Sequence, residues 1–221
     1  MSLRIGLTGG LASGKTTVAG MFASHGAYVM YADQAGHDAI TPGKTAYQEI
    51  VRRFGDSVVN PDQTINRRKL AEIAFGTGRI EELNRIVHPA VRERMERWMR
   101  EMSEFDPGAI LMFEAVLILE AGLGKHFDKL VVVTSTPEQK LERFVSRMSD
   151  GKLVALSEER LQALRDAERR IGAQLSDQEK IAAGDYVIDN SGTLAETERQ
   201  VSAVYKELSA LAAVRQQALR T

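Results

Sequence analysis

The sequence predicts an α/β domain with a central parallel sheet of five strands flanked by helices. Five short apolar runs alternate along the chain with segments whose apolar residues recur every three or four positions, which is typical of helices. Continuous apolar runs of this length are expected for strands that are buried on both faces of a sheet. The runs span residues 4–8, 27–32, 109–113, 129–134 and 186–189.

Composition limits the possible classes of protein. The chain has 221 residues, is 43% hydrophobic and carries a net charge of −1, so it can form one large domain and has no bulk attraction to nucleic acid or membranes. It contains no cysteine, which excludes disulfides and thiol chemistry. There is no apolar run of roughly 20 residues and no signal-peptide pattern. We therefore expect a cytoplasmic protein with no nucleic-acid or membrane partner, either a monomer or a weak homo-oligomer.

The first apolar run leads into a glycine-rich stretch, residues 9–16, of the form Gly, four residues, then Gly-Lys-Thr. This spacing is that of a phosphate-binding loop, in which backbone N–H groups and the start of the next helix surround phosphate oxygens. Lys15 is then predicted to reach the β- and γ-phosphates of a nucleotide, and the Thr16 hydroxyl to ligate Mg²⁺. A glycine-rich turn that binds nothing is the alternative, but the order of strand, loop and helix favours the phosphate loop. The predicted nucleotide-binding residues of this loop are Gly9, Gly10, Leu11, Ala12, Ser13, Gly14, Lys15, Thr16 and Thr17.

Asp33 follows the second apolar run, and we expect it at the carboxyl end of that strand. Ligands of parallel sheets bind beyond this end of the strands. A carboxylate there could accept a proton from an attacking hydroxyl, or hold Mg²⁺ through water. The alternative is that Asp33 is the N-cap of the following helix.

Residues 35–105 contain more helices than one crossover needs, so we expect them to form a helical substrate-binding insertion. Gly55 should end the helix that precedes it. Pro89 disfavours helical backbone at His88, so we expect a break there and a new helix that starts at Pro89. A lone histidine such as His88 is more often a structural hydrogen-bonding group than a catalyst.

The fourth run is followed by Thr136-Pro137-Glu138-Gln139, which has the spacing of a capping box and proline at the first helical position. Arg143 and Arg147 then share the polar face of the predicted helix. They could close over a transferring phosphoryl group as part of a lid, or they could be solvated surface residues. Glu114 and Glu120 flank another apolar stretch and could belong to an Mg²⁺ site or to a helix start.

Two nucleotide-hydrolysing classes fit the sequence poorly. Asp33-Gln34-Ala35-Gly36 matches the Asp-x-x-Gly element of GTPases, but it lies too close to the loop to leave room for a switch segment. No guanine-recognition Asn-Lys-x-Asp follows, and no apolar strand ends in the paired Asp-Glu of an ATPase motor.

Taken together, these motifs resemble the dephospho-CoA kinase family over roughly residues 4–208. Tyr31 and Val116 stand where that family commonly has Asp and Pro. The phosphate loop is generic to many kinases, whereas His88-Pro89 and Ile188-Asp189-Asn190 are much more specific to this family. The similar segments are residues 5–10 and 13–15, Ala32-Asp33, Arg67 with Leu70, Ile86 to Pro89, Gln139 to Arg143 with Arg147, Gln174, and Val187 to Asn190.

The resemblance implies a P-loop kinase fold with helical substrate-binding and lid insertions, and ATP-dependent phosphorylation of the ribose 3′-hydroxyl of dephospho-CoA with Mg²⁺. It implies a nucleotide-binding core of residues 1–34, 106–142 and 183–221, a substrate domain of residues 35–105 and a lid of residues 143–182. It also implies that Asp33 orients or deprotonates the hydroxyl, and that Lys15, Arg143 and Arg147 act on phosphates. The remaining implied contacts are Asn190 for the nucleotide, and Arg67, His88, Leu117 and Glu120 for the substrate.

Two other functions stay open from the sequence alone. Another P-loop kinase, acting on a nucleoside, a nucleotide or a sugar acid, would share the phosphate loop. A nucleotide-sensing protein that has lost catalysis would share it too, although the intact Lys15, Thr16 and Asp33 disfavour that reading.

Overall fold

The computed structural model describes residues 2–148, 164–165, 171–172 and 174–218. Its sheet has five strands, β1 (Leu3–Gly9), β2 (Tyr28–Tyr31), β3 (Ile110–Glu114), β4 (Lys129–Thr134) and β5 (Tyr186–Asp189). They lie in the order β2-β3-β1-β4-β5. Strand β1 pairs in parallel with β3 and with β4, and β4 pairs in parallel with β5. The predicted five-stranded parallel sheet is therefore confirmed.

Eight α-helices and two short 3₁₀ helices, Asp56–Val58 and Gly124–His126, connect and flank these strands within the described part of the chain. None of them is long and apolar enough to cross a membrane. The helices are α1 (Lys15–Ser24), α2 (Ala32–Ala39), α3 (Thr45–Phe54), α4 (Arg67–Gly76), α5 (Ile80–Phe105), α6 (Pro137–Met148), α7 (Asp177–Ala183) and α8 (Leu194–Ala218).

The chain forms two compact units, one of residues Met1–Val29 with Met102–Thr221 and one of residues Met30–Glu101. In the first unit the inner strands are buried, as continuous apolar runs require. Strands β1, β3 and β4 contribute Ile5, Leu7, Leu111, Met112, Phe113, Val131 and Val133, all at most 1% exposed.

Local sequence signals set the start of α6 as predicted. The Gln139 N–H donates to the Thr136 hydroxyl (3.2 Å) and the Thr136 N–H donates to the Gln139 side chain (3.3 Å), which is a capping box. Pro137 is the first residue of the helix. Helix α7 begins in the same manner, with a reciprocal pair between Ser176 and Glu179.

The second unit has its own apolar core. Ile50 and Phe54 of α3 pack with Leu70 and Ala74 of α4, and partly buried residues of α5 cover them. Gly55 ends α3 at a φ of 82°, a backbone angle that favours glycine.

The predicted helix break at His88 is wrong. Helix α5 runs without interruption over 26 residues, with Pro89 inside it. Proline removes one backbone hydrogen bond and crowds the preceding turn, at a cost of about 3 kcal/mol. Met95 and Met99, which follow Pro89 on the helix, are 0% and 1% exposed, and Ile86 and Val87 before it are partly buried. This burial offsets the cost, because each fully buried apolar side chain contributes roughly 1.5–3 kcal/mol.

The predicted position of Asp33 at the end of β2 also needs correction. Strand β2 ends at Tyr31 and α2 begins at Ala32, so Asp33 lies in the first turn of a helix. It is not the N-cap either, because that position belongs to Tyr31, whose backbone is extended. A carboxylate in the first turn is favoured by the positive end of the helix dipole.

Candidate nucleotide site

The loop between β1 and α1 has a backbone that requires glycine at two positions. A Cβ on Gly9 would lie 2.1 Å from the carbonyl oxygen of Val133 on β4, and Gly9 has a φ of +155°. Gly14 has a φ of +95°, and a Cβ there would lie 2.0 Å from Nδ2 of Asn190. The loop can therefore follow this path against β4 and Asn190 only without these side chains.

The start of α1 is suited to an anion. Gly14 is the N-cap and has no side chain with which to cap the first turn, so the N–H groups there point out of the helix. Lys15 extends back over the loop and donates from Nζ to the Gly10 carbonyl oxygen (3.0 Å). The side chains of Thr16 and Thr17 are exposed beside it. Backbone donors, a cation and free hydroxyls thus meet at one helix N-terminus, as phosphate binding requires.

Asn190 supports the loop from below. Its side chain is 5% exposed, donates to the Ser13 carbonyl oxygen (2.9 Å) and accepts from the Thr197 hydroxyl (3.0 Å). Arg143 donates to the Asn190 carbonyl oxygen (3.0 Å) and reaches the Ser13 carbonyl oxygen at 3.5 Å. The structure thus brings Arg143 and Asn190 to the loop, and it leaves Arg147 exposed one turn further along α6.

Helix α6 also packs an apolar face on the loop. Ala12 and Phe144 are both 5% exposed and pack together, with Leu11 and Leu141 partly buried around them. Ala12 adopts a φ of 56°, which is uncommon for a residue with a side chain. Helix α6 therefore contacts the loop both through this apolar face and through Arg143.

Sequence reasoning gave no role to the residues that hold the outer side of the loop. The Gln174 side chain accepts from the Leu11 N–H (3.2 Å). Lys140, 6% exposed, pairs with Asp177 next to Gly10. Gln174 and Lys140 both fall in segments that resemble the family, but nothing in the sequence assigns them to the loop. Asp177 lies in a charged stretch that resembles solvated helix, so only a contact between distant parts of the chain could reveal it.

Two predicted substrate residues lie in the segment that follows β3, residues 115–123. Leu117 is partly buried. The Glu120 carboxylate lies 2.9 Å from Nζ of Lys180 and accepts from the Leu175 N–H (3.0 Å). Glu114, at the end of β3, is 7% exposed.

The other predicted substrate residues lie in the second unit. Asp33 and Arg67 are exposed at the first turns of α2 and α4. His88 is exposed on α5, and partial desolvation of its ring lowers its pKa from the ordinary value of 6.5. This shift favours the uncharged imidazole, which can both donate and accept a hydrogen bond.

The described residues contain no cluster of three or more His, Cys, Asp or Glu side chains that could hold a metal ion. The Thr16 hydroxyl, the predicted ligand for Mg²⁺, is exposed at the start of α1. Mg²⁺ commonly binds through one or two protein oxygens together with water and substrate phosphates, so a single hydroxyl at this position fits it. Much of the predicted lid of residues 143–182 lies outside the described residues.

A phosphate loop after the first strand of a five-stranded parallel sheet, with an arginine-bearing helix packed on it, is the arrangement of the P-loop kinase fold. Solved structures share this fold. Residues of this chain match the crystal structure of TT1252 from Thermus thermophilus with a TM-score of 0.71 and 28% identity, over 94% of this chain and 98% of that one. A dephospho-CoA kinase structure from Campylobacter jejuni has the same fold, with a TM-score of 0.68 and 23% identity, over 95% and 98% of the two chains.

The sequence relatives identify the family. Residues 3–196 match the family model of dephospho-CoA kinase. The dephospho-CoA kinase of Aquifex aeolicus is 39% identical over 93% of this chain and 97% of its own length, and that of Leifsonia xyli is 40% identical over 92% and 98%. This chain belongs to the dephospho-CoA kinase family. The predicted family and enzyme class, a phosphotransferase, are confirmed.

Proposed function

We propose that this protein transfers the γ-phosphoryl group of ATP to the ribose 3′-hydroxyl of dephospho-CoA, giving coenzyme A and ADP. This is the final step of coenzyme A synthesis. The observation that carries the proposal is the uncapped N-terminus of α1, with Lys15 across the loop, in a chain of the dephospho-CoA kinase family.

The loop residues of the chain bind and hold the phosphates of ATP. Phosphoryl transfer depends mainly on positioning and on stabilising charge that develops on the transferred group. Backbone N–H groups within residues 9–17 donate to the phosphate oxygens, apart from those of Leu11 and Ser13, which donate to Gln174 and to the Gly10 carbonyl oxygen. Lys15 exchanges its bond to Gly10 for a β- or γ-phosphate oxygen. Arg143 and Arg147 add positive charge from α6, and Asn190 fixes the end of the loop.

Thr16 is the protein ligand for Mg²⁺ in this proposal. When bound, the ion would neutralise negative charge on the phosphates. The exposed Thr16 hydroxyl supports such a site, because Mg²⁺ is usually held by few protein oxygens.

The acceptor is held by residues that the family resemblance indicates. Asp33 orients the 3′-hydroxyl and takes its proton as the oxygen attacks. Arg67 binds a phosphate group of the substrate, since a guanidinium binds phosphate in a forked geometry. His88 supports the substrate as a neutral hydrogen-bonding group, in line with its lowered pKa. Leu117 and Glu120 contact the acceptor from the segment after β3.

Nucleotide binding, acceptor binding and lid closure are assigned to the domains expected from the sequence. Residues 1–34, 106–142 and 183–221 bind the nucleotide, residues 35–105 bind the acceptor, and residues 143–182 close as a lid. We expect the protein to work in the cytoplasm as a monomer or weak homo-oligomer.

The lid can be tested by hydrogen exchange. Exchange over residues 143–175 should slow when nucleotide and acceptor bind together, and equal exchange with and without them would argue against a lid.

The experiment that tests the function is ADP release with ATP and Mg²⁺, measured with and without each of several acceptors. Dephospho-CoA is expected to stimulate release strongly, and nucleosides, nucleotides and sugar acids are expected to give little. Stimulation by another acceptor alone would instead identify a different P-loop kinase. ATP binding without turnover of any acceptor would point to a nucleotide-sensing protein.

A further inference from the structure

Lys180 on α7 is a fully buried cation that lies outside the phosphate loop. Its side chain is 0% exposed. An ammonium group is tolerated at such depth only when it is paired and hydrogen-bonded. Its Nζ meets this condition, because it lies 2.9 Å from the Glu120 carboxylate and donates to the Val116 carbonyl oxygen at 3.0 Å.

The Val116 carbonyl oxygen also accepts a second hydrogen bond, which comes from strand β1. The hydroxyl of Thr8, a fully buried residue of β1, donates to it at 3.0 Å. The neighbouring Ala115 N–H donates to the Leu7 carbonyl oxygen at 3.0 Å. The first part of the segment after β3 is therefore fixed to β1, while Lys180 fixes it to α7.

The far end of the same segment is fixed as well. Glu120 accepts from the Leu175 N–H at 3.0 Å in addition to its pair with Lys180. Ile118, between the two attachment points, is 0% exposed. Lys180 thus contacts both ends of the stretch Val116–Glu120 and holds them at a fixed separation.

We infer that Lys180 is a positioning residue for the acceptor, acting through the stretch Val116–Glu120. The inference rests on the proposed function, in which Leu117 and Glu120 of this stretch contact dephospho-CoA. Lys180 itself touches no reacting atom, since its ammonium group is directed at Val116 and Glu120. Its loss leaves the Glu120 carboxylate without its cation, and Leu117 loses its fixed position relative to α7.

Helix α7 also contacts the phosphate loop, so a role in acceptor binding alone can be distinguished from a general role of the helix. Asp177, three residues before Lys180, pairs with Lys140 next to Gly10 of the phosphate loop. General loosening of α7 would therefore impair ATP binding as well as acceptor binding. A positioning role confined to the stretch Val116–Glu120 impairs acceptor binding alone.

The test is steady-state kinetics of Lys180→Met with each substrate varied in turn, at a temperature where circular dichroism shows the variant to be folded. We expect the KM for dephospho-CoA to rise about tenfold, with the KM for ATP changed by less than about twofold, because only interactions with the acceptor are weakened. The matched control is Lys129→Met. It removes another lysine–carboxylate pair of the same unit, the 2.7 Å contact with Asp185, and should leave both KM values unchanged.

Thr8→Val is the second variant, which carries the test if Lys180→Met does not fold. It removes the other donor to the Val116 carbonyl oxygen and should raise the KM for dephospho-CoA by roughly two- to threefold. Parallel rises in both KM values, or an unchanged KM for dephospho-CoA in the folded variants, would overturn the inference. If the unmutated protein turns over no dephospho-CoA, the proposed function fails first and the inference fails with it.

Discussion

Replacing Gly14 with alanine tests whether the end of the phosphate loop is held as described. The added Cβ would lie 2.0 Å from Nδ2 of Asn190, and the buried Asn190 amide cannot move without breaking its bonds to Ser13 and Thr197. The left-handed backbone costs a residue with a side chain about 1–2 kcal/mol. Each of the two hydrogen bonds contributes about 1 kcal/mol. The free energy of unfolding should therefore fall by about 3–4 kcal/mol.

The assay is urea denaturation followed by circular dichroism, with Gly122→Ala as the matched control. Gly122 lies in the same unit and also has a positive φ, +65°, but nothing lies within 4 Å of its added Cβ. Its replacement should lower the free energy of unfolding only by the cost of the left-handed backbone, about 1–2 kcal/mol. Equal losses in the two variants would refute the reasoning, because the contact with Asn190 would then contribute nothing.

Three further predictions concern the reaction and its pH dependence. Lys15→Ala should lower kcat by on the order of 10³-fold, because the lysine charge matters most in the transition state. The melting temperature should stay near that of the unmutated protein. Near-normal turnover would contradict the role assigned to the loop. Asp33→Asn should lower kcat by about 10²–10⁴-fold with ATP affinity preserved, and an unchanged kcat would exclude Asp33 from the mechanism. The His88 ring should titrate by NMR below 6.5, the ordinary value from which its pKa is lowered. Since the unfolded chain then binds a proton that the folded chain does not, the free energy of unfolding should fall as the pH drops below about 6.5, and His88→Gln should reduce that fall.

Features that depend on neighbouring residues were predictable from the sequence. The bounds of β4 and β5 agree with their apolar runs. The capping box of α6 follows from Thr136 and Gln139, which lie three residues apart and so form their bonds whatever the rest of the fold does.

Features that depend on packing between distant segments were not predictable. The helical path through Pro89 depends on tertiary packing of α5, which buries Met95 and Met99 and outweighs the local preference of proline. Lys180 lies in a charged stretch that resembles solvated helix, yet it is buried against Val116, 64 residues earlier in the chain. Hydrophobic periodicity carries no information about such a contact, because the residue that it buries is polar.

The central claim, transfer to the ribose 3′-hydroxyl of dephospho-CoA, is tested most directly by identifying the product. The unmutated protein is incubated with ATP, Mg²⁺ and dephospho-CoA, and the product is examined by mass spectrometry and ³¹P NMR. The 3′-deoxy analogue of dephospho-CoA, which lacks the attacking hydroxyl, serves as the control acceptor. We predict a single added phosphate, on the 3′-oxygen, and no phosphorylation of the analogue. A phosphate at any other position, or equal phosphorylation of the analogue, would contradict the account.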